Sequence, residues 1–289
     1  QLIKPLVTAF FDEQTNTYSY IVQDPFSKVC AIVDPVLNFD SPSGTTSYEG
    51  ADAIIAAVKQ QGLQTGWIIE THAHADHLSA APYIKEALGG KIAIGEKITT
   101  VQQTFGKLFN DGPGFARDGS QFDHLFKENE TYKIGHLTGT ALCTPGHTPA
   151  CMSHIIGDAI FVGDTIFMPD GGTARADFPG GDAAELYHSI HKILSLPGDY
   201  RIFVCHDYAP NNRPYACETT VADQVTHNIH VKKGISLKEF VSMRQTRDKT
   251  LGMPRLILPS LQVNIRAGNM PEPEDNGLVY LKLPVNAFK

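Results

Sequence analysis

The chain has 289 residues, 42% of them hydrophobic and 19% charged, with a formal net charge of −7 at pH 7. That length suits one large domain or two modest ones, and the composition is ordinary for a globular protein. The acidic balance argues against general binding to nucleic acid or an anionic membrane, which needs basic surfaces, and no apolar run approaches the ~18 residues of a membrane span.

The start, "QLIKPLVTAFF", has no basic stretch followed by a long apolar run and a small-residue cleavage site. No signal peptide and a cytoplasmic location are therefore expected. In chain order, "TYSYIVQ" and "KVCAIVDP" read as strands, split at Asp24-Pro25. A polar loop is expected from Asn38 to Gly50. "ADAIIAAVKQQG" has helical periodicity and stops at Gly62. "GWIIE" is a short strand, and "LSAAPYIKEALGG" a second helix. "KIAIG" then reads as a strand and "EKITTVQQTFGKLF" as a helix, followed by a loop over 110–120. "TYKIGHLTGTALCTPGH" reads as strands ending in a Pro-Gly turn, "SHIIGDAIFVGDTIF" as a hairpin, "DAAELYHSIHKIL" as a helix and "YRIFVCH" as a strand. From about residue 230 the character changes to a basic "HVKKG", a helical "SLKEFVSMRQTRD" and a Pro-rich tail. We read residues 1–230 as the main domain and 231–289 as an extension packed on it. Strands alternating with helices and hairpins predict stacked α and β layers.

The chemistry concentrates at strand ends. "THAHADH", residues 71–77, follows the "GWIIE" strand and holds His72, His74, Asp76 and His77. Neutral imidazole and ionised carboxylate are the usual ligands of zinc and non-haem iron, and an HxHxDH array can serve one ion or two. Downstream, His147 in "TPGHTP", Asp164 in "FVGDTIF" and His206 in "FVCHDY" each follow an apolar strand. Taken one at a time they could be ordinary polar residues; the shared pattern is a strand delivering one ligand at its end.

"THAHADH", "TPGHT", "GDT" and "CHDY", in that order, resemble the metallo-β-lactamase superfamily over roughly residues 5–230. The resemblance implies an αββα four-layer sandwich with the metal site at one edge. Within it, "ARADFPGGDAAELYHSIHKILSLPGDYRIFVCHDY" is similar to the persulfide dioxygenase family, and the extension to that family's longer bacterial members. That resemblance implies one Fe(II) held by His72, His147 and Asp164, a facial triad that leaves positions open. It implies oxidation of glutathione persulfide by O2 and water to glutathione and sulfite. His74, Asp76, His77 and His206 would then orient ligands and water around the iron. The alternative is a glyoxalase II-like enzyme, whose two metals use the whole ligand set to hydrolyse glutathione thioesters; a third possibility is a non-catalytic metal-binding or sulfur-sensing module.

For the carboxylates of glutathione, the resemblance points to Arg175 and Tyr208, with Arg213, Lys232 and Lys233 as weaker candidates. Asp177 is placed to orient Arg175 or to cap a turn. The family also suggests a homodimer. The five cysteines, odd in number and without a CxxC pair, are expected as buried reduced thiols. His188 with His191, His227 with His230, and Trp67 are expected in structural or solvated roles.

Overall fold

The computed structural model describes residues 1–288. Strands β1 (Leu6–Asp12), β2 (Thr17–Gln23) and β3 (Val29–Val33) form an antiparallel meander. Next come a hairpin, β4 (Val36–Asp40) and β5 (Thr45–Ser47), helix α1 (Glu49–Gln60), and β6 (Gln64–Ile69), which lies parallel to β3. The short β7 (Leu78–Ser79) pairs with β4 and leads into α2 (Ala81–Leu88). Strand β8 (Lys91–Gly95), helix α3 (Ile98–Leu108) and β9 (His124–Phe126) complete the first half.

The second half runs β10 (Thr131–Ile134), β11 (Leu137–Cys143), β12 (Met152–Ile156), β13 (Ala159–Phe161), α4 (Ala183–Leu194), β14 (Arg201–Phe203) and β15 (Glu218–Thr220). It is followed by α5 (Val221–His227), α6 (Leu237–Asp248) and α7 (Ile257–Asn264). Two six-stranded sheets result, ordered β1-β2-β3-β6-β8-β9 and β10-β11-β12-β13-β14-β15.

Three apolar clusters give the layers. Tyr20, Val22, Ala31, Ile69, Phe126, Phe161 and Phe203 fill the space between the sheets. Ile32, Ile54, Ile68, Ile84, Ile94 and Val101 join the first sheet to α1, α2 and α3, and Leu261 of α7 belongs to the same cluster. Ile160, Ile190, Ile202, Val221 and Phe240 join the second sheet to α4, α5 and α6. Every residue of β2 except Gln23 is buried, because this strand is covered on both faces. The arrangement is the αββα sandwich.

The helices start where their capping chemistry puts them. Asp182 accepts from the Glu185 N–H to begin α4, and Ser236 with Glu239 forms a complete capping box on α6. Three expectations need correction. The polar stretch from Asn38 to Gly50 includes most of the β4–β5 hairpin, which its Ser, Pro and Gly content disguised as a loop. Leu78 and Ser79, expected in helix, are extended; Leu78 and Ser79 pair with Leu37 and Val36, and Pro82 is seated in the first turn of α2. The Pro-rich tail also contains α7. Among the described residues no helix is long and apolar enough to cross a membrane.

Both sheets meet at one edge through β2. The Tyr18 N–H donates to the Cys205 carbonyl at 2.7 Å, and Thr17 bridges to His206. The loops after β6, β11, β13 and β14 gather here, at the carboxyl ends of those strands.

Candidate metal centre

The turns that deliver the ligands are fixed by close packing. Gly146, in the Pro-Gly turn before His147, has φ +142°, and a Cβ there would lie 2.4 Å from the Leu186 backbone. Gly163, with φ +53°, sits where a Cβ would meet the Thr71 Oγ1 at 2.7 Å. Only glycine lets the Asp164 turn close down on the histidine loop.

Asp164 Oδ2 lies 3.3 Å from both His72 Nε2 and His147 Nε2. The three side chains are buried, each offering one ligand atom within 4.8 Å of the others. Their far nitrogens are anchored. His147 donates its Nδ1–H to the Arg175 carbonyl at 2.7 Å, which fixes the tautomer and turns Nε2 toward Asp164. His72 Nδ1 lies 3.0 Å from Thr71 Oγ1, which donates to Asp34 Oδ2 at 2.8 Å. His72 Nε2 and Asp164 Oδ1 are buried without a hydrogen-bond partner. Buried ligand atoms left without hydrogen-bond partners, gathered around one carboxylate, fit a bound cation.

A second group, His74, Asp76, His77 and His206, also brings one ligand atom each within 4.8 Å. His206 Nε2 is 3.1 Å from Asp164 Oδ1 and 3.3 Å from Asp76 Oδ2, so Asp164 faces both groups. Its Nδ1–H donates to the Asn16 carbonyl at 3.1 Å. His77 Nδ1 lies 3.2 Å from Asp76 Oδ2, and its Nε2 is an orphan. His74 differs from the rest. Its Nε2 is shared by two buried carboxylates, Asp34 at 2.9 Å and Glu70 at 3.5 Å, which leaves Nδ1 buried without a partner.

Electrostatics separates these imidazoles. Burial, then the charge of His74, pushes His72 down to about 4, so it is neutral and ligand-ready at pH 7. Burial opposes charge on His206 as well, but Asp164 and Asp76 overcome it and raise it to about 9. Burial likewise opposes charge on His74, and Asp34 and Glu70 outweigh it, holding that imidazole well above its usual range. Glu70 itself is pushed up to about 7, chiefly by burial.

Sequence reasoning missed Asp34 and Glu70. Both directly follow apolar strands, β3 and β6, which is the same signal that exposed Asp164. Asp34 is the hub of the loop: its Oδ1 accepts from the Thr71 N–H at 2.9 Å and faces His74, while its Oδ2 holds the Thr71 hydroxyl.

A cavity of about 390 Å³ opens over the centre. His147, Asp164, Asp76 and His206 form its floor, and Arg175, Phe167, Phe178 and Tyr208 its walls. Arg175 pairs with Asp177 through two bonds of 2.7 and 2.9 Å and donates to the Gly252 carbonyl at 2.7 Å. Arg213 does not line the cavity; its guanidinium is held by Asp170 and Asp207. Lys232 and Lys233 are exposed and lie outside it. One contribution was not foreseen: Arg247, Leu251, Met253 and Arg255 of the extension also line the cavity.

The remaining histidines stand apart from both groups. His188 and His191 are exposed on α4, His227 pairs with Asp223 at 2.8 Å, and His230 Nδ1 accepts from the Thr173 N–H at 2.9 Å. Trp67 packs against the inter-sheet core and donates to the Lys133 carbonyl. All five cysteines are free, with Cys30, Cys151 and Cys205 buried.

Two stacked sheets sandwiched by helices, with histidines and aspartates converging at one edge, define a metal-dependent enzyme scaffold. The sequence pattern of the metallo-beta-lactamase superfamily matches residues 13–206, and the chain belongs to that superfamily. It is 54% identical to a probable metallo-hydrolase of Burkholderia pseudomallei, over 98% of this chain and 99% of that one. It is 48% identical to glyoxylase B2 of Dictyostelium discoideum, over 99% of each. The bovine mitochondrial persulfide dioxygenase ETHE1 is 27% identical over 93% of this chain and 91% of its own. Among solved structures, ETHE1 from Myxococcus xanthus superposes with a TM-score of 0.72 at 25% identity, covering 91% of this chain and 100% of that one.

Proposed function

We propose that the chain is a persulfide dioxygenase that binds one Fe(II) through His72, His147 and Asp164. The observation that carries this reading is the grouping of the ligand atoms. His72, His147 and Asp164 stand together as two imidazoles and one carboxylate, and His74 falls in the other group, its Nε2 engaged by Asp34 and Glu70 and its Nδ1 unpartnered. Two histidines and a carboxylate on one face of an iron leave room for both O2 and a substrate sulfur. When bound, the iron supplies the redox chemistry that joins them.

The predicted net reaction is glutathione persulfide plus O2 and water giving glutathione, sulfite and two protons. The sulfane sulfur rises from oxidation state 0 to +4, and O2 takes all four electrons, so no separate reductant is needed. The chain's own contribution is positional. Arg175 reaches the cavity wall while its carbonyl holds His147, which ties substrate and ligand to one turn. His206 Nε2 stands 3.1 Å from Asp164 Oδ1, while Oδ2 faces His72 and His147. Arg247 and Arg255, which line the cavity beside Tyr208, suit the carboxylates of glutathione better than Arg213 does.

A second reading, a dinuclear thioesterase of the glyoxalase II kind, has its own support. Asp164 faces both ligand groups, His77 and His206 present orphaned Nε2 atoms, and the relatives at 54% and 48% carry hydrolase and glyoxylase names. Those names favour hydrolysis. The two chemistries share their ligand types, however, and differ in whether His74 joins the first metal. The test is the metal content of anaerobically purified protein, together with oxygen uptake on adding glutathione persulfide. One iron per chain with oxygen uptake and sulfite release is expected. Two metals per chain, no oxygen uptake and hydrolysis of S-lactoylglutathione would overturn the proposal in favour of the second reading.

A further inference from the structure

Directly behind the histidine loop lies a second, smaller pocket, lined by Ala73, Ala75, Val101, Phe105, Ile257 and Leu261. The two alanines alternate with His72, His74 and Asp76, so one short segment gives ligands to the metal centre and methyl groups to this pocket. The pocket leaves about 20 Å³ for the centre of a water-sized sphere, where about 10–15 Å³ is enough to hold one molecule the size of water. The only polar side chain in its lining is Thr148. That hydroxyl is already engaged, by Cys151 Sγ at 3.0 Å and the Ala150 N–H at 3.3 Å. Water needs two or more polar partners to settle in a buried site, whereas dry apolar cavities take up apolar gases.

This pocket adjoins the substrate cavity. Ala75 and Phe178 line both spaces, and the Phe178 ring packs edge-on against His147 with centroids 5.6 Å apart. On its other side Phe178 carries the Arg175 guanidinium, 4.6 Å from the ring centroid. One aromatic ring therefore stands between the apolar pocket and His147. The polar cavity is the entrance suited to an anionic thiol compound, and the apolar chamber is suited to a small apolar molecule.

We propose that this chamber is the dioxygen site of the enzyme, from which O2 passes Phe178 to the metal centre while the persulfide occupies the polar cavity. The inference rests on the dioxygenase reading. O2 partitions from water into apolar surroundings, and a chamber large enough for a single diatomic molecule holds it next to the centre without admitting water. Separate routes also let both substrates be present together, with neither blocking the other.

The experiment pairs gas binding with kinetics on the iron-loaded protein. Crystals pressurised with xenon are expected to show one xenon atom between Ala75, Val101 and Ile257. Val101→Phe and Ile257→Phe fill the chamber from sides remote from the ligands. In each, xenon should be lost and the KM for O2 should rise about fivefold or more, with iron content, the KM for glutathione persulfide and kcat at saturating oxygen unchanged. If phenylalanine is too large to fold around, Val101→Leu narrows the same space and is read by the same two measurements. Absence of xenon from the chamber of an oxygen-consuming enzyme would overturn the route alone, as would an unchanged KM for O2 in a variant that has lost xenon. A wild-type protein that binds xenon but consumes no oxygen would sink the dioxygenase reading and the route with it.

Discussion

Replacing His72 and replacing His74 should have different consequences. His72→Gln removes a nitrogen that faces Asp164 and His147, and iron binding and turnover should both vanish. His74→Gln keeps an amide between Asp34 and Glu70, and iron should remain at one per chain with affinity reduced about 10–100-fold, the range for lost ligand support. Metal analysis of the two variants checks this, and equal loss of iron in both would place His74 among the ligands. Titration supplies a second residue-scale test. His154, whose Nδ1 faces the Tyr132 hydroxyl at 2.9 Å, is held down to about 4 by burial. An unfolded histidine titrates near ~6.5, so between about pH 6.5 and 4 the unfolded chain takes up a proton that the folded one refuses. Stability contributed by this group is complete above about pH 6.5 and is lost as pH falls toward 4. The shift corresponds to a loss on the order of 3 kcal/mol for this fully buried site. His154→Gln should flatten the acid limb of an unfolding-midpoint profile; an unchanged slope would assign acid sensitivity to other groups.

Among the elements, α6 and α7 hold the site from outside. Arg244 on α6 is 1% exposed, donates to the Thr173 carbonyl at 2.8 Å and pairs with Asp248, while Asp248 Oδ2 accepts from the Ala176 N–H at 3.0 Å. Together they grip the turn that carries Arg175. Asn264, the last residue of α7, donates to the His74 and His77 carbonyls at 2.8 Å each and accepts from the Ser79 N–H at 2.9 Å. Asn264→Ala leaves three buried backbone groups without partners and should cost about 2–3 kcal/mol. Denaturant unfolding measures it, and an unchanged midpoint would show that the histidine loop holds itself. These contacts explain what the sequence did and did not disclose. The candidate ligands were legible because each follows an apolar strand, α4 because its cap and periodicity are local signals, and α6 because of its capping box. The β4–β5 hairpin was hidden by its turn-like composition, while α7 and the clamping roles of Asn264 and Arg244 depend on partners far away in the chain, which no local pattern records.

For the whole molecule, the notable contrast is between a net charge of −7 and a cavity wall carrying Arg175, Arg247 and Arg255. An acidic surface repels anions in general, and the cavity offers them one place to bind. The double variant Arg247→Ala, Arg255→Ala should raise the KM for glutathione persulfide about tenfold with kcat nearly unchanged, because the lost contacts hold the unreacting end of the substrate. Steady-state kinetics at two ionic strengths checks it. A KM that neither changes in the variant nor depends on salt would leave recognition to Arg175 and Tyr208. Arg175 was legible in the sequence through its resemblance to a known family. Arg247 and Arg255 were not, since only the packing of α6 and α7 against the sandwich brings them over the cavity.

Asn264 also sets a schedule. The carbonyl of His77 waits for a side chain 187 residues further along. Synthesis runs from the amino end, so His77 emerges 187 residues ahead of the side chain that braces it. Closing so long a loop is slow and comes after local structure has formed. The histidines are thus exposed as loose ligands before they become a centre. An ion that arrives after α7 has docked meets a braced loop, whereas one that arrives sooner meets ligands that Asn264 does not yet hold in place.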